Sequence, residues 1–124
     1  RLAEIIVLDQ FSRNMFRDTP RAFASDVLAL ILAQEAVRAG HYLDLPANMR
    51  GFMFLPFMHS ESALMHERAL ALYTELGEPN QLDFEYKHKR IIDRFGRYPH
   101  RNAILGRVST EAELAFLQEA NSAF

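Results

Sequence analysis

The chain has 124 residues, enough for one domain with one sizeable core. Its 49% hydrophobic and 24% charged residues are ordinary for a globular protein, and a net charge of −2 argues against a general nucleic-acid binder, which carries a large basic excess. There is no cysteine, which excludes disulfides, zinc–thiolate sites and a cysteine nucleophile from this chain. The longest apolar run, Val27 to Ala33, is seven residues, far below the roughly 18 that span a bilayer. No secretory signal pattern is visible, so a cytoplasmic location is expected.

Helical periodicity dominates from the first residues, and strand signals are nearly absent. Residues 2–14 place Leu2, Ile5, Ile6 and Asp9 on one face, with Arg13 a turn further on. The chain already reads as mid-helix at Arg1, so the expectation is one helical domain, 1–124, lacking an N-terminal portion. Pro20 interrupts the pattern. A second helix is expected over 26–39, with Ser25 as N-cap and Gly40 as its left-handed stop. A third starts near Pro46 with a stripe of Met49, Phe52, Met53 and Phe57, and Pro56 should end or kink it.

The fourth helix is expected over 60–76, closed by Gly77, with Met65, Ala69, Leu72, Tyr73 and Leu76 inward. The fifth runs over 81–95 from an Asn80 cap to a Gly96 stop, burying Phe84, His88, Ile91, Ile92 and Phe95. The last opens with the capping box Thr110-x-x-Glu113 and carries Leu114 and Leu117. The fold class is therefore all-α, about six helices in antiparallel αα-hairpins.

Three polar clusters carry the candidate chemistry. Asp9 and Arg13, four apart, can meet on one helix face, as a structural ion pair or as one wall of a polar pocket. In LPFMHSESALMHER, His59, Glu61, His66 and Glu67 are metal-ligand types. HExxH fails because Leu70 stands where the second histidine belongs, and no cysteines follow His59-x-Glu61 for a zinc-deaminase element. No metal and no cofactor are therefore expected. Glu61 reads as a first-turn carboxylate favoured by the helix dipole, and His59 as a hydrogen-bonding loop residue.

The third cluster is the loop FGRYPHRNAILGR, with Arg97, His100, Arg101, Asn102 and Arg107 between Gly96 and Gly106. Its arginines could grip an anion through forked hydrogen bonds. They could equally tie the loop to Asp9, Asp93 or helix C-termini. His88, on the apolar face of the preceding helix, reads more simply as a satisfied core residue than as a catalyst. Nucleotide-binding glycine loops and the GxSxG elbow are absent.

The segments LDQFSRNMFRDTPRAFASD, LPFMHSE and RFGRYPHRNAILGRVSTEAELAFL resemble a bacterial family known as domain of unknown function nine-two-four. The resemblance covers essentially the whole chain and implies a tetratricopeptide-like αα-superhelix, preceded in the family by a tryptophan-containing region; this chain has no tryptophan. It carries no established activity and no catalytic residue. The recurrent polar positions of the family correspond to Asp9, Gln10, Arg13, Asn14, His59, Glu61, His88, Arg97, His100, Arg101 and Asn102.

Two functions follow as expectations. One is a helical interaction module whose Arg/His/Asn-lined groove or pocket binds a peptide, a protein or a small anionic ligand. The other is a small-molecule enzyme in which His59, His88 and His100 converge with Asp9 or Glu61 for acid–base work. A third reading is architectural, with the polar clusters knitting one another together. Sequence-specific nucleic acid and a membrane span are not expected as partners, and the sequence leaves the oligomeric state open. The candidate binding set is Asp9, Arg13, His59, Glu61, His88, Arg97, His100, Arg101 and Asn102.

Overall fold

The first element shows how this fold aims a polar group inward. In the computed structural model, which describes all of residues 1–124, helix α1 (Leu2–Ile6) continues through a π-helical turn, Val7–Phe11, into α2 (Ser12–Met15). The backbone stays right-handed helical throughout. A π turn adds a residue to the helical repeat and shifts the faces beyond it, a device frequent at functional sites. Ile5, Asp9 and Ser12 all end up buried, so one side of this helix changes from apolar to polar along its length.

A connection with a 3₁₀ turn at Pro20–Ala22 leads to α3 (Asp26–Arg38). Its inward face is only Ala29, Ala33 and Ala36, which allows close approach of the neighbouring helix, while Val27, Leu28 and Ile31 face out. Ser25 occupies the N-cap position but makes no capping hydrogen bond. Gly40 takes the left-handed conformation that stops the helix.

Helix α4 (Ala47–Met58) starts after Pro46 and runs through Pro56 for two further residues, so the expected break does not occur there. The expected stripe is also rotated. Met49 and Phe52 are exposed, whereas Met53, Phe54, Phe57 and Met58 are buried. Apolar residues cover nearly the whole helix circumference, so periodicity alone could not choose the inward side.

Helix α5 (Ala63–Leu76) begins later than expected, leaving Glu61 outside its first turn. Helix α6 (Pro79–Phe95) begins earlier, with Pro79 in the first turn and Glu78 rather than Asn80 at the N-cap. Phe84 is half-exposed on it. In α7 (Glu111–Phe116) the Thr110–Glu113 capping box is formed, but Phe116 rather than Leu114 is buried.

Consecutive helices pack on one another: α3 on α4, α4 on α5 and α5 on α6, with α1 closing against α3 and α4. The main core gathers Ile5, Ala33, Ala36, Met53, Phe54, Phe57, Met58, Met65, Ala69 and Tyr73. A second cluster, Ile91, Ile92, Tyr98 and Phe116, fixes the C-terminal loop on α6. The all-α class is as the sequence led us to expect, and no helix is long and apolar enough to cross a membrane.

Candidate functional site

Between the α1–α2 helix, the 3₁₀ connection, the start of the α6–α7 loop and the C-terminal residues lies a cavity of about 580 Å³. That volume suits a small organic molecule. Arg13, Arg17, His59, His88, His100 and Arg101 supply its guanidinium and imidazole groups, and Phe23, Tyr98, Ile104 and Phe124 supply apolar and aromatic wall. Asp18 is the single side-chain carboxylate in the lining.

Arg13 is held by two carboxylates. Its guanidinium donates to Asp9 Oδ1 at 2.7 Å and forks onto both oxygens of Asp26 at 2.9 Å. Neither aspartate lines this cavity, so the anions sit behind the wall and the cations in front. Asp9 is 1% exposed and also accepts from Gln10 at 2.6 Å. Burial would raise its pKa, but His59, Arg13 and Gln10 together hold the carboxyl below its ordinary value, so it is ionised near neutral pH.

An ionised Asp9 determines the state of His59. Nδ1 lies 2.8 and 3.0 Å from the two carboxylate oxygens and must therefore carry the proton it donates. Nε2 is left with its lone pair. Burial pushes the imidazole below its ordinary pKa more than Asp9 raises it, so the ring is neutral at pH 7.

His88 is similar. Its Nδ1–H donates to the Phe84 carbonyl at 2.7 Å, which leaves Nε2 as acceptor, and burial lowers its pKa to about 3. Its ring stacks on Phe124 at 3.8 Å and lies 6.1 Å from His59. His100 has no hydrogen-bond partner at its buried Nδ1, and burial with the neighbouring Arg101 lowers its pKa to about 4.

Arg101 is the most enclosed cation, 6% exposed. It donates to the His59 carbonyl at 2.9 Å, lies 3.6 Å from Asp26, and stands over the rings of Phe23 and Tyr98 at 4.5 and 4.7 Å. Its buried Nε has no partner. Together with Phe23 and His59 it also borders a second cavity of about 440 Å³, on whose wall Glu61 and Asp26 lie.

Six of the nine candidate residues thus meet here: Asp9 behind the wall, and Arg13, His59, His88, His100 and Arg101 on it. The other three serve the loop. Arg97 forks onto Glu113 at 2.7 and 2.9 Å. Asn102 donates to Ser109 and Glu113 and accepts from Arg107. Glu61 pairs with Arg107 at 2.7 and 2.8 Å and accepts the Tyr98 backbone N–H. Burial would raise the Glu61 pKa, but these bonds hold the carboxyl below its ordinary value. The loop arginines pair with Glu113, Asp26 and Glu61, not with Asp9 or Asp93.

No three of the histidines and carboxylates are placed to share a metal ion. His66, read among possible ligand types, is instead fully buried, with Nδ1 2.7 Å from Glu85 and Nε2 2.8 Å from the Ser60 carbonyl. Asp26, Phe23 and Tyr98 were not singled out from the sequence. Each acts through a partner distant along the chain, which leaves no local signal.

The model of a family described as bacterial protein of unknown function (DUF924) matches residues 1–121. The chain belongs to this family. Among solved structures it is similar to a protein of unknown function, ATU0120, from Agrobacterium tumefaciens, with 43% identity and a TM-score of 0.91, over 96% of this chain and 67% of that one. No curated protein matches the chain significantly. The family carries no activity to transfer, so function has to be argued from the site itself.

Proposed function

We propose that this domain binds a small organic anion in the cavity walled by Arg13, His59, His88, His100 and Arg101. One observation carries the reading. Three guanidinium groups and one side-chain carboxylate line an aromatic-walled cavity, while the aspartates that orient Arg13 stand behind it. Forked guanidinium groups recognise planar oxyanions, and the aromatic walls Phe23, Tyr98 and Phe124 suit an apolar body on the same ligand. Neutral imidazoles add hydrogen-bonding groups without adding charge. The volume of about 580 Å³ favours a small molecule over the extended peptide that a long helical groove would take.

Benzoate and phenyl phosphate are suitable probes. Calorimetry should show saturable binding of at least one of them to the wild type. Arg101→Gln and the exposed Arg17→Gln should each weaken it, the former by about tenfold or more, equivalent to roughly 1.4 kcal/mol. Arg101→Lys, which keeps the charge but loses the fork, should fall between wild type and Gln. Equal affinities in all four proteins would refute the reading.

A further inference from the structure

Asp9 and His59 form a carboxylate–imidazole dyad whose outer nitrogen has no protein partner. Asp9 is itself immobilised by Arg13 and Gln10, so the ring is fixed in tautomer and orientation. A histidine held this way is equipped to accept a proton at Nε2 and to be stabilised as imidazolium by the carboxylate behind it. The lining of the first cavity contains no serine, threonine, cysteine or lysine; Ser60 and Ser62 line the second, which His59 also borders. The hydroxyl of Tyr98 is taken up by the Met58 carbonyl. In the first cavity, where the arginines stand, no side-chain hydroxyl, thiol or amine is therefore free for the base to deprotonate, and the group it can activate there is water.

The strength of the base narrows the reaction further. A buried neutral imidazole is a weak base, poorly matched to a carbon acid. It is well matched to a water molecule that gains acidity as it adds to an electrophilic carbonyl. Arginine side chains beside it can hold a carboxylate and the negative charge that develops on a carbonyl oxygen.

We propose that His59, oriented by Asp9, is the general base of a hydrolytic site that cleaves small carboxylic esters carrying an anionic group. This rests on the anion-binding reading above. The water oxygen bonds to the carbonyl carbon as its proton passes to His59 Nε2, and the carbonyl π electrons move onto the oxygen. Collapse of the tetrahedral anion breaks the bond to the leaving oxygen, which takes the proton back from Nε2. One ester and one water give one carboxylic acid and one alcohol, and His59 is neutral again. Asp9 acts through His59 and is a positioning residue.

Mono-4-nitrophenyl succinate is the test ester and 4-nitrophenyl acetate its uncharged comparison, both followed by release of 4-nitrophenolate. The wild type should hydrolyse the succinate ester with saturation and with kcat/KM about tenfold or more above that for the acetate. His59→Gln should lower it by about 100-fold or more, while His41→Gln, on the surface, leaves it unchanged.

Asp9→Asn should lower kcat more than KM and change the pH profile. The groups facing His59 are Asp9, Arg13, Arg101, His88 and, across the second cavity, Glu61 and Asp26. Asp9 raises the pKa of His59, so removing its charge moves the acid limb of the profile to lower pH. A purely structural role for Asp9 would lower activity at every pH alike.

Benzoate calorimetry on His59→Gln separates the two readings. Retained binding with wild-type-like or absent hydrolysis in every protein overturns the general base and leaves anion binding standing. Loss of benzoate binding in the wild type removes both. If a variant does not fold, diethyl pyrocarbonate on the wild type decides instead. Benzoate-protected inactivation that maps to His59 supports the proposal, and inactivation without modification of His59 overturns it.

Discussion

Acidification should destabilise this fold well before its carboxylates protonate, because the cavity histidines are buried as neutral rings. His88 falls from an ordinary 6.5 to about 3 and His100 to about 4, in both cases chiefly through burial. Below pH 6.5 the unfolded chain binds a proton at each position that the folded chain refuses, so stability falls with pH. Between pH 6.5 and about pH 5 this amounts to about 2 kcal/mol for each histidine. His59, also lowered, contributes in the same direction. Glu85 opposes them: burial raises its pKa above 4.5, so the folded state holds its proton longer and gains stability as pH falls towards 4.5.

The net expectation is a loss of about 2–4 kcal/mol, read as a urea midpoint lower by about 1 M or more. Circular dichroism at about pH 7.5, 6 and 5 measures it. His88→Asn keeps an N–H near the Nδ1 position for the Phe84 carbonyl but cannot take up a proton. The stability difference between variant and wild type should therefore shift by about 2 kcal/mol in favour of the variant over the same range. Parallel pH dependences for the two proteins would show that His88 is not held neutral, and the reasoning would fail.

Two further substitutions separate scaffold from cavity. Glu61→Gln removes the charge that Arg107 forks onto but keeps an acceptor for the Tyr98 N–H. It should cost about 1–3 kcal/mol in urea melts and leave benzoate affinity within about twofold, because Glu61 does not line the first cavity. Glu85→Gln retains a partner for His66 Nδ1 and should cost under about 1 kcal/mol. Glu85→Ala leaves that imidazole and a void in the core, and thermal melts should show a loss of about 3 kcal/mol or more.

What could be read from the sequence were features with local causes. Gly40, Gly77 and Gly96 stop helices in the left-handed conformation, and Thr110 and Glu113 form their box three residues apart. Each is determined within a turn of chain. Expectations failed where a distant partner competed. Ser25 does not cap α3, and Asp26 beside it is drawn into the Arg13 fork. Glu61 lies outside a helix it was expected to start, paired instead with Arg107, 46 residues away.

The polar composition of the loop from Arg97 to Arg107 drew attention to it from the sequence, yet its residues divide by role. Arg97, Asn102 and Arg107 are engaged with Glu113, one another and Glu61, which builds the loop. His100 and Arg101 turn to the cavity. That division depends on which carboxylate each arginine meets in space, and α7 and the start of α5 are placed by packing that no local pattern encodes. The π turn at Val7–Phe11, which helps to bury Asp9 beneath His59, likewise leaves no mark in the residue pattern.

The central claim, that the arginines and neutral histidines form one anion-binding cavity, is tested most directly by following the imidazole signals of all five histidines by NMR during a benzoate titration. The account predicts that His59, His88 and His100 shift together along one saturation curve while His41 stays still. The same signals should shift markedly less in Arg101→Gln at equal, sub-saturating benzoate. Shifts confined to His41, or an undiminished response in Arg101→Gln, would contradict it.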